Sequence, residues 1–178
     1  DVAARAVEYN RSIGGIDGRN GEALGEDLTR DGLLEDYDAV FVAIGLGLSN
    51  HLGIEGEDLD GVVNAIEYIA DLRQAADKST LPVGRDVVVI GGGMTAIDVA
   101  VQSKRLGAEQ VHMVYRRGPE QMSASTFEQA LAQTSGVTLH HWGSPARILG
   151  DTHATAVQFD VADSDEGMQL EADVVFKA

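Results

Sequence analysis

Asp86-Val87-Val88-Val89-Ile90-Gly91-Gly92-Gly93-Met94-Thr95-Ala96-Ile97-Asp98 is the stretch that decides the fold. The unbroken β-branched run 87–90 reads as a strand buried on both faces, since a strand covered on one face would alternate apolar with polar residues. Gly91, Gly93 and Ala96 then match the dinucleotide fingerprint, with Ala in its third place. Gly91 lets the strand turn sharply into a helix. Gly93 lets a phosphate approach the backbone, and a small residue at 96 lets the helix pack close to the strand. The N–H groups of the first helical turn, aligned with the helix dipole, are then free to hold an anion. The helix runs over residues 94–106 and Gly107 ends it. A second strand, 111–115, completes a strand–helix–strand unit of about 30 residues. Alone, the glycine pattern would also fit an empty turn or another ligand of this fold, such as S-adenosylmethionine. Its order between two strands favours a dinucleotide.

The end of the second strand bears on which dinucleotide. NAD sites usually place Asp or Glu there for the ribose hydroxyls, and NADP sites place Arg for the 2′-phosphate. The chain reads Tyr115-Arg116-Arg117-Gly118, with no acid until Glu120. Two guanidiniums can grip a phosphate in bidentate fashion. The competing reading pairs them with surface carboxylates. NADPH is therefore expected over NADH.

Outward from this unit, apolar residues at 2, 3, 6 and 7 mark a short helix, and residues 31–37 a short helix or turn. Residues 39–44 form a continuous apolar run, read as a second buried strand that ends in a tight turn at 45–47. An amphipathic helix is expected over 62–76, with a connector over 77–84. Ser123 or Ser125 could cap a helix reaching 133. A strand over 137–142 follows, then a β-meander with strands near 147–149, 154–161 and 168–170, and a last strand over 171–176. Strands alternating with helices imply a Rossmann-like parallel α/β sheet with helices on both faces.

Thirteen Lys and Arg against 29 Asp and Glu give a net charge of −16. Such a surface repels nucleic acid and anionic membranes. No apolar run approaches the roughly 20 residues of a membrane-spanning helix, and residues 1–5 lack a signal peptide's pattern. With no cysteine in the chain, a Cys-type zinc site, a Cys-held iron–sulfur cluster and a redox-active Cys pair are excluded for this segment. A cytoplasmic setting fits.

Gly91-Gly92-Gly93-Met94-Thr95-Ala96-Ile97-Asp98, then Lys104-Arg105-Leu106-Gly107-Ala108, Val114-Tyr115-Arg116-Arg117 and Gln121-Met122-Ser123-Ala124-Ser125 resemble one flavoprotein family. It contains the small subunit of NADPH-dependent glutamate synthase and the flavin part of dihydropyrimidine dehydrogenase. Met94 and residues 121–125 look closer to the bacterial dihydropyrimidine dehydrogenase flavoprotein subunit. The resemblance implies an NAD(P)H domain, residues 54–170, inserted into an FAD domain. Residues 1–53 would be a remnant of that interrupted domain, with Gly45 at its cofactor turn, and 171–178 the strand returning to it. It implies nucleotide contacts at Gly91, Gly92, Gly93, Met94, Thr95 and Ala96, at Arg116 and Arg117, and at Ser123. Hydride would pass from NAD(P)H to FAD, then electrons to iron–sulfur centres in a partner subunit or another domain. The final acceptor would be a pyrimidine or, alternatively, the substrates of glutamate synthesis.

No catalytic side chain and no metal site is expected within the chain. His140 and His141 are adjacent on a strand and face opposite ways. Asp98 reads as structural, and the acidic run 55–58 as a solvated loop. Ser123 and Ser125 lack a nucleophile elbow. No tyrosine has Lys four residues on, which argues against a self-sufficient dehydrogenase. A nucleotide-binding or interaction module without turnover is the alternative of another class.

Overall fold

The computed structural model describes residues 2–45 and 51–178. It divides into two compact units, 1–45 and 46–178.

The first unit holds helices α1 (Val2–Ser12) and α2 (Arg30–Asp36), the latter capped by the Thr29 hydroxyl on Gly32 N–H. No described residue in it is buried. The apolar run 39–44 was expected to be a strand buried on both faces. Instead it forms no ladder, and Phe41 is 92% exposed. A strand is buried only when a sheet and covering layers flank it, and the described residues of this unit contain no sheet. Gly45 has φ +73°; residues 46–47 of the expected turn lie outside the described residues.

The second unit is built on a parallel sheet. Strands β1 (Val62–Asn64), β2 (Asp86–Ile90), β3 (Gln110–Tyr115), β4 (Thr138–His141) and β8 (Val174–Lys177) lie in the order β1-β8-β2-β3-β4. Between them run α3 (Ala65–Gln74), α4 (Met94–Leu106) and α5 (Thr126–Thr134). β2 is buried along Val87 to Ile90, as its composition demands. Gly107, at φ +115°, ends α4 in the left-handed conformation. Asn64 caps α3, so that helix starts later than its apolar spacing suggests, and Val62 and Val63 pair with β8 instead.

Helices cover one face of this sheet, not both. Val87, Val89, Val111, Met113 and Phe176 share a core with α3, α4 and α5. Val88, Ile90, Val114 and Val175 share the opposite core with the antiparallel sheet β5 (Gly143–Gly150), β6 (Ala154–Val161) and β7 (Met168–Glu171). A parallel sheet needs both faces covered. Here the crossover from β4 to β8 is itself a meander and supplies the second layer. β8, within residues 171–178, lies inside this parallel sheet, hydrogen-bonded to β1 on one side and β2 on the other.

The acidic run 55–58, expected as solvated loop, contains a buried carboxylate. Glu57 accepts from Leu52 N–H at 2.9 Å, Gly53 N–H at 2.8 Å and Lys177 Nζ at 3.0 Å. Burial alone would raise its pKa. The backbone donors and the Lys177 ammonium outweigh that and lower it from 4.5 to about 2. The pair ties the loop entering the unit to the last strand of its sheet. A depressed carboxylate pKa stabilises the fold above the unfolded pKa, and that contribution is lost as pH falls from 4.5 towards 2. Glu57→Gln is expected to lower unfolding stability at pH 7 by on the order of 2 kcal/mol, with the gap closing in urea titrations taken below pH 4. A pH-independent gap would contradict the ion-pair account.

Candidate functional site

Strands of a parallel α/β sheet bind ligands beyond their carboxyl ends, where the strand order reverses. That point lies between β2, which leads on to β3, and β8 on its other side. A cleft of about 510 Å³ opens there, lined by residues that include Gly91, Gly92, Gly93, Thr95, Tyr115, Arg116 and Ser123. The fingerprint, the strand-end arginine and the serine thus meet in one place.

The backbone shows why glycine is required. Gly91 has φ +155°, and a Cβ on it would stand 2.6 Å from Ala178 O, since β8 runs alongside. A Cβ on Gly92 would run into the Tyr115 ring. Gly91 N–H donates to Val114 O at 3.1 Å, and Gly92 O accepts from Ala124 N–H at 3.1 Å. These bonds fix the loop between β3 and the segment before α5. Gly93 is the N-cap of α4 and no side chain caps the helix. Ile97 N–H is the donor that closes onto Gly93 O, at 3.1 Å. The N–H groups of residues 94–96 have no partner within the helix, and with the helix dipole they present positive partial charge at the cleft floor. Ser123 Oγ lies 3.2 Å from where a Gly93 Cβ would be.

Other expected residues fall differently. Ala96 is buried in the core beneath the loop, which is the close packing its small size permits. Met94 is not among the residues that line the cleft. Its side chain, 64% exposed, lines a separate groove over α3, α4 and α5. Arg116 lines the cleft and Arg117 does not, though both are exposed. Among the described residues neither forms an ion pair, so the carboxylate-paired reading of them finds no support. Ser125 is a helix cap in a capping box with Glu128. Asp98 pairs with Arg73 at 3.3 Å. Gly45 belongs to the first unit.

Tyr115, His51, Leu52, Gly143 and Pro145 also line the cleft. Their spacing in sequence gave no sign of this, apart from Tyr115 standing at a strand end. Tyr115 is held by its hydroxyl, which donates to Gln121 O at 2.8 Å.

His140 does face away from His141, and meets a different partner. Its Nε2 lies 3.0 Å from His112 Nδ1 on the neighbouring strand. Burial lowers both pKa values, and for His140 the nearby His112 and His141 add to it. Burial thus favours the neutral form of both rings. Among the described residues no three His, Asp or Glu side chains gather as a metal site, and no helix is long and apolar enough to cross a membrane.

A family model described as pyridine nucleotide-disulphide oxidoreductase matches residues 5–178. The chain belongs to this family. Similar curated proteins include the NADP(+)-dependent formate dehydrogenase subunit beta of Moorella thermoacetica, 35% identical over 85% of the chain and 21% of that protein. The glutamate synthase [NADPH] small chain of Escherichia coli is 40% identical over 69% of the chain and 28% of that protein. The chain thus spans less than a third of the length of either. Among solved structures, the T. acidophilum thioredoxin reductase matches with TM-score 0.59 at 19% identity over 72% of the chain and 40% of that structure. That likeness concerns the fold.

Gly92→Ala should cost about 1–3 kcal/mol by overpacking, and Tyr115→Ala in the same chain should recover much of it in a double-mutant cycle. Strictly additive losses in urea unfolding would show that the ring does not set the glycine requirement.

Proposed function

We propose that residues 54–170, together with β8, bind NAD(P)H and present it to an FAD held by another part of the same protein, NADPH being preferred to NADH. The observation that carries this reading is the cleft at the switch point, floored by the uncapped N-terminus of α4 and bordered by Arg116. Gly93, the N-cap of α4, carries no side chain that would stand between a pyrophosphate and the first N–H groups of the helix.

The backbone N–H groups of residues 92–95 and the Thr95 hydroxyl would hold the phosphates. Arg116 and Arg117 would grip the ribose phosphate, with Ser123 donating a hydrogen bond but no charge. When bound, NAD(P)H supplies a hydride, which FAD accepts in the whole protein. The chain's residues then position and bind, and none has to transfer a proton. In this reading residues 1–53, including Gly45, are a piece of the FAD domain. The exposed apolar run 39–44 supports that, as a strand awaiting its sheet would look so.

Iron–sulfur centres in a partner or another domain would take the electrons onward, and a pyrimidine would be the final acceptor, in a cytoplasmic enzyme. The sequence of residues 94 and 121–125 supports the pyrimidine. The second reading, a small subunit of glutamate synthase, is favoured by the relatives that carry this name.

Calorimetric titration of the chain with NADPH and NADH tests the reading. NADPH should bind at least about tenfold more tightly, a difference of 1.4 kcal/mol that one charge-assisted phosphate contact supplies. Arg116→Ala should abolish the difference. Equal binding of both would overturn the NADP preference, and no binding of either would overturn the dinucleotide reading.

A further inference from the structure

Trp142 follows β4 with φ +66°, in the left-handed region that bulky side chains rarely adopt. The other described non-glycine there, Asp163, is of a type that tolerates it. A strained backbone persists where its surroundings fix it, and such places concentrate at ligand sites. Here the fixing contacts are visible. Trp142 N–H donates to Arg117 O at 3.3 Å, and Trp142 O accepts from Ala162 N–H at 2.9 Å. The edge of the indole lies on Gly118, with Cη2 2.8 Å from where a Gly118 Cβ would stand. Position 118 thus leaves room for the ring. Yet the ring is not absorbed into the core and remains 47% exposed.

Its place in the sheet gives the exposed surface a meaning. The β3–β4 ladder pairs Tyr115 with His141. Arg116 and Trp142 are therefore the next residues on each strand, leaving the sheet side by side at its carboxyl edge. The glycine loop follows β2, on the far side of β3. Two strand spacings, about 10 Å, separate the phosphate floor from Trp142. Only a ribose and its linkage need span that interval in an adenine dinucleotide. A flat aromatic surface beside two unpaired guanidiniums suits a ligand that carries an aromatic base next to a phosphate.

We propose that the Trp142 ring is the platform on which the adenine of the dinucleotide stacks, beside the ribose phosphate held by Arg116 and Arg117. The inference rests on the dinucleotide reading and adds to it the residue that seats the base. Stacking of a base on an aromatic side chain tolerates varied ring chemistry and needs only an open face. Neither the fingerprint nor the strand-end arginines require an aromatic residue at this position.

Trp142 is the chain's single tryptophan, so its fluorescence reports on this site alone. The chain is titrated with adenosine 2′,5′-bisphosphate, 5′-AMP and nicotinamide mononucleotide, with calorimetry in parallel. Two variants accompany it. Trp142→Asn keeps a residue that accepts positive φ and removes the ring, and Trp142→Phe keeps an aromatic face. The adenine nucleotides should change the emission and nicotinamide mononucleotide should not. Trp142→Asn, folded by circular dichroism, should bind adenosine 2′,5′-bisphosphate about tenfold more weakly, and Trp142→Phe should restore most of that. Calorimetric binding with unchanged emission, and equal Kd in Trp142→Asn, would overturn the stacking role while leaving the dinucleotide reading standing. No heat with NADPH or with any adenine nucleotide would overturn both.

Discussion

The turn from β2 into α4 closes as it does because no Cβ stands at Gly91 or Gly92. One missing atom lets the Ala178 carbonyl, just past β8, sit against the turn, and the other makes room for the Tyr115 ring. The rest of the site follows from that closeness. The loop is short enough for α4 to begin directly above the strand, with its first N–H groups facing the cleft and no side chain competing for them. The Gly92 carbonyl then anchors Ala124, which brings Ser123 over the loop. A single steric permission at the strand end thus sets the floor, one wall and part of the roof of the cleft.

The sheet beneath is held in a way that leaves this end free. Its two faces are covered by different materials, helices on one and a meander on the other, and both cores meet through the side chains of β2, β3 and β8. The loop entering the unit is fastened by Glu57 to Lys177, one residue before the contact with Gly91. A charge pair that costs desolvation is placed where it fixes the entry loop, the last strand and the cleft edge together.

The parts legible in the sequence were those governed by local rules. The β-branched run of β2, the span of α4 with its glycine stop, and the meander all follow from period and turn chemistry. What escaped was set by partners distant in sequence. The run 39–44 has the composition of a central strand, but composition cannot supply the neighbouring strands it needs. Glu57 looks like one acid among several until Lys177 arrives from 120 residues away. His112 and His140 have no metal-like spacing, and they meet only because β3 and β4 are neighbours in a given register. Met94 belongs to the fingerprint by position, yet the helix turns its side chain towards a different groove. The meander layer was read correctly, but which face it would cover is decided by the β4-to-β8 crossover.

If the N–H groups opening α4 bind the phosphates of a dinucleotide, its addition perturbs the glycine loop. Amide resonances of the chain followed during NADPH addition test it most directly. The largest shifts are expected at residues 92–96, with further shifts at 116–117 and little change over the α3–α5 groove. Saturable binding that moves groove resonances and leaves 92–96 in place would contradict it.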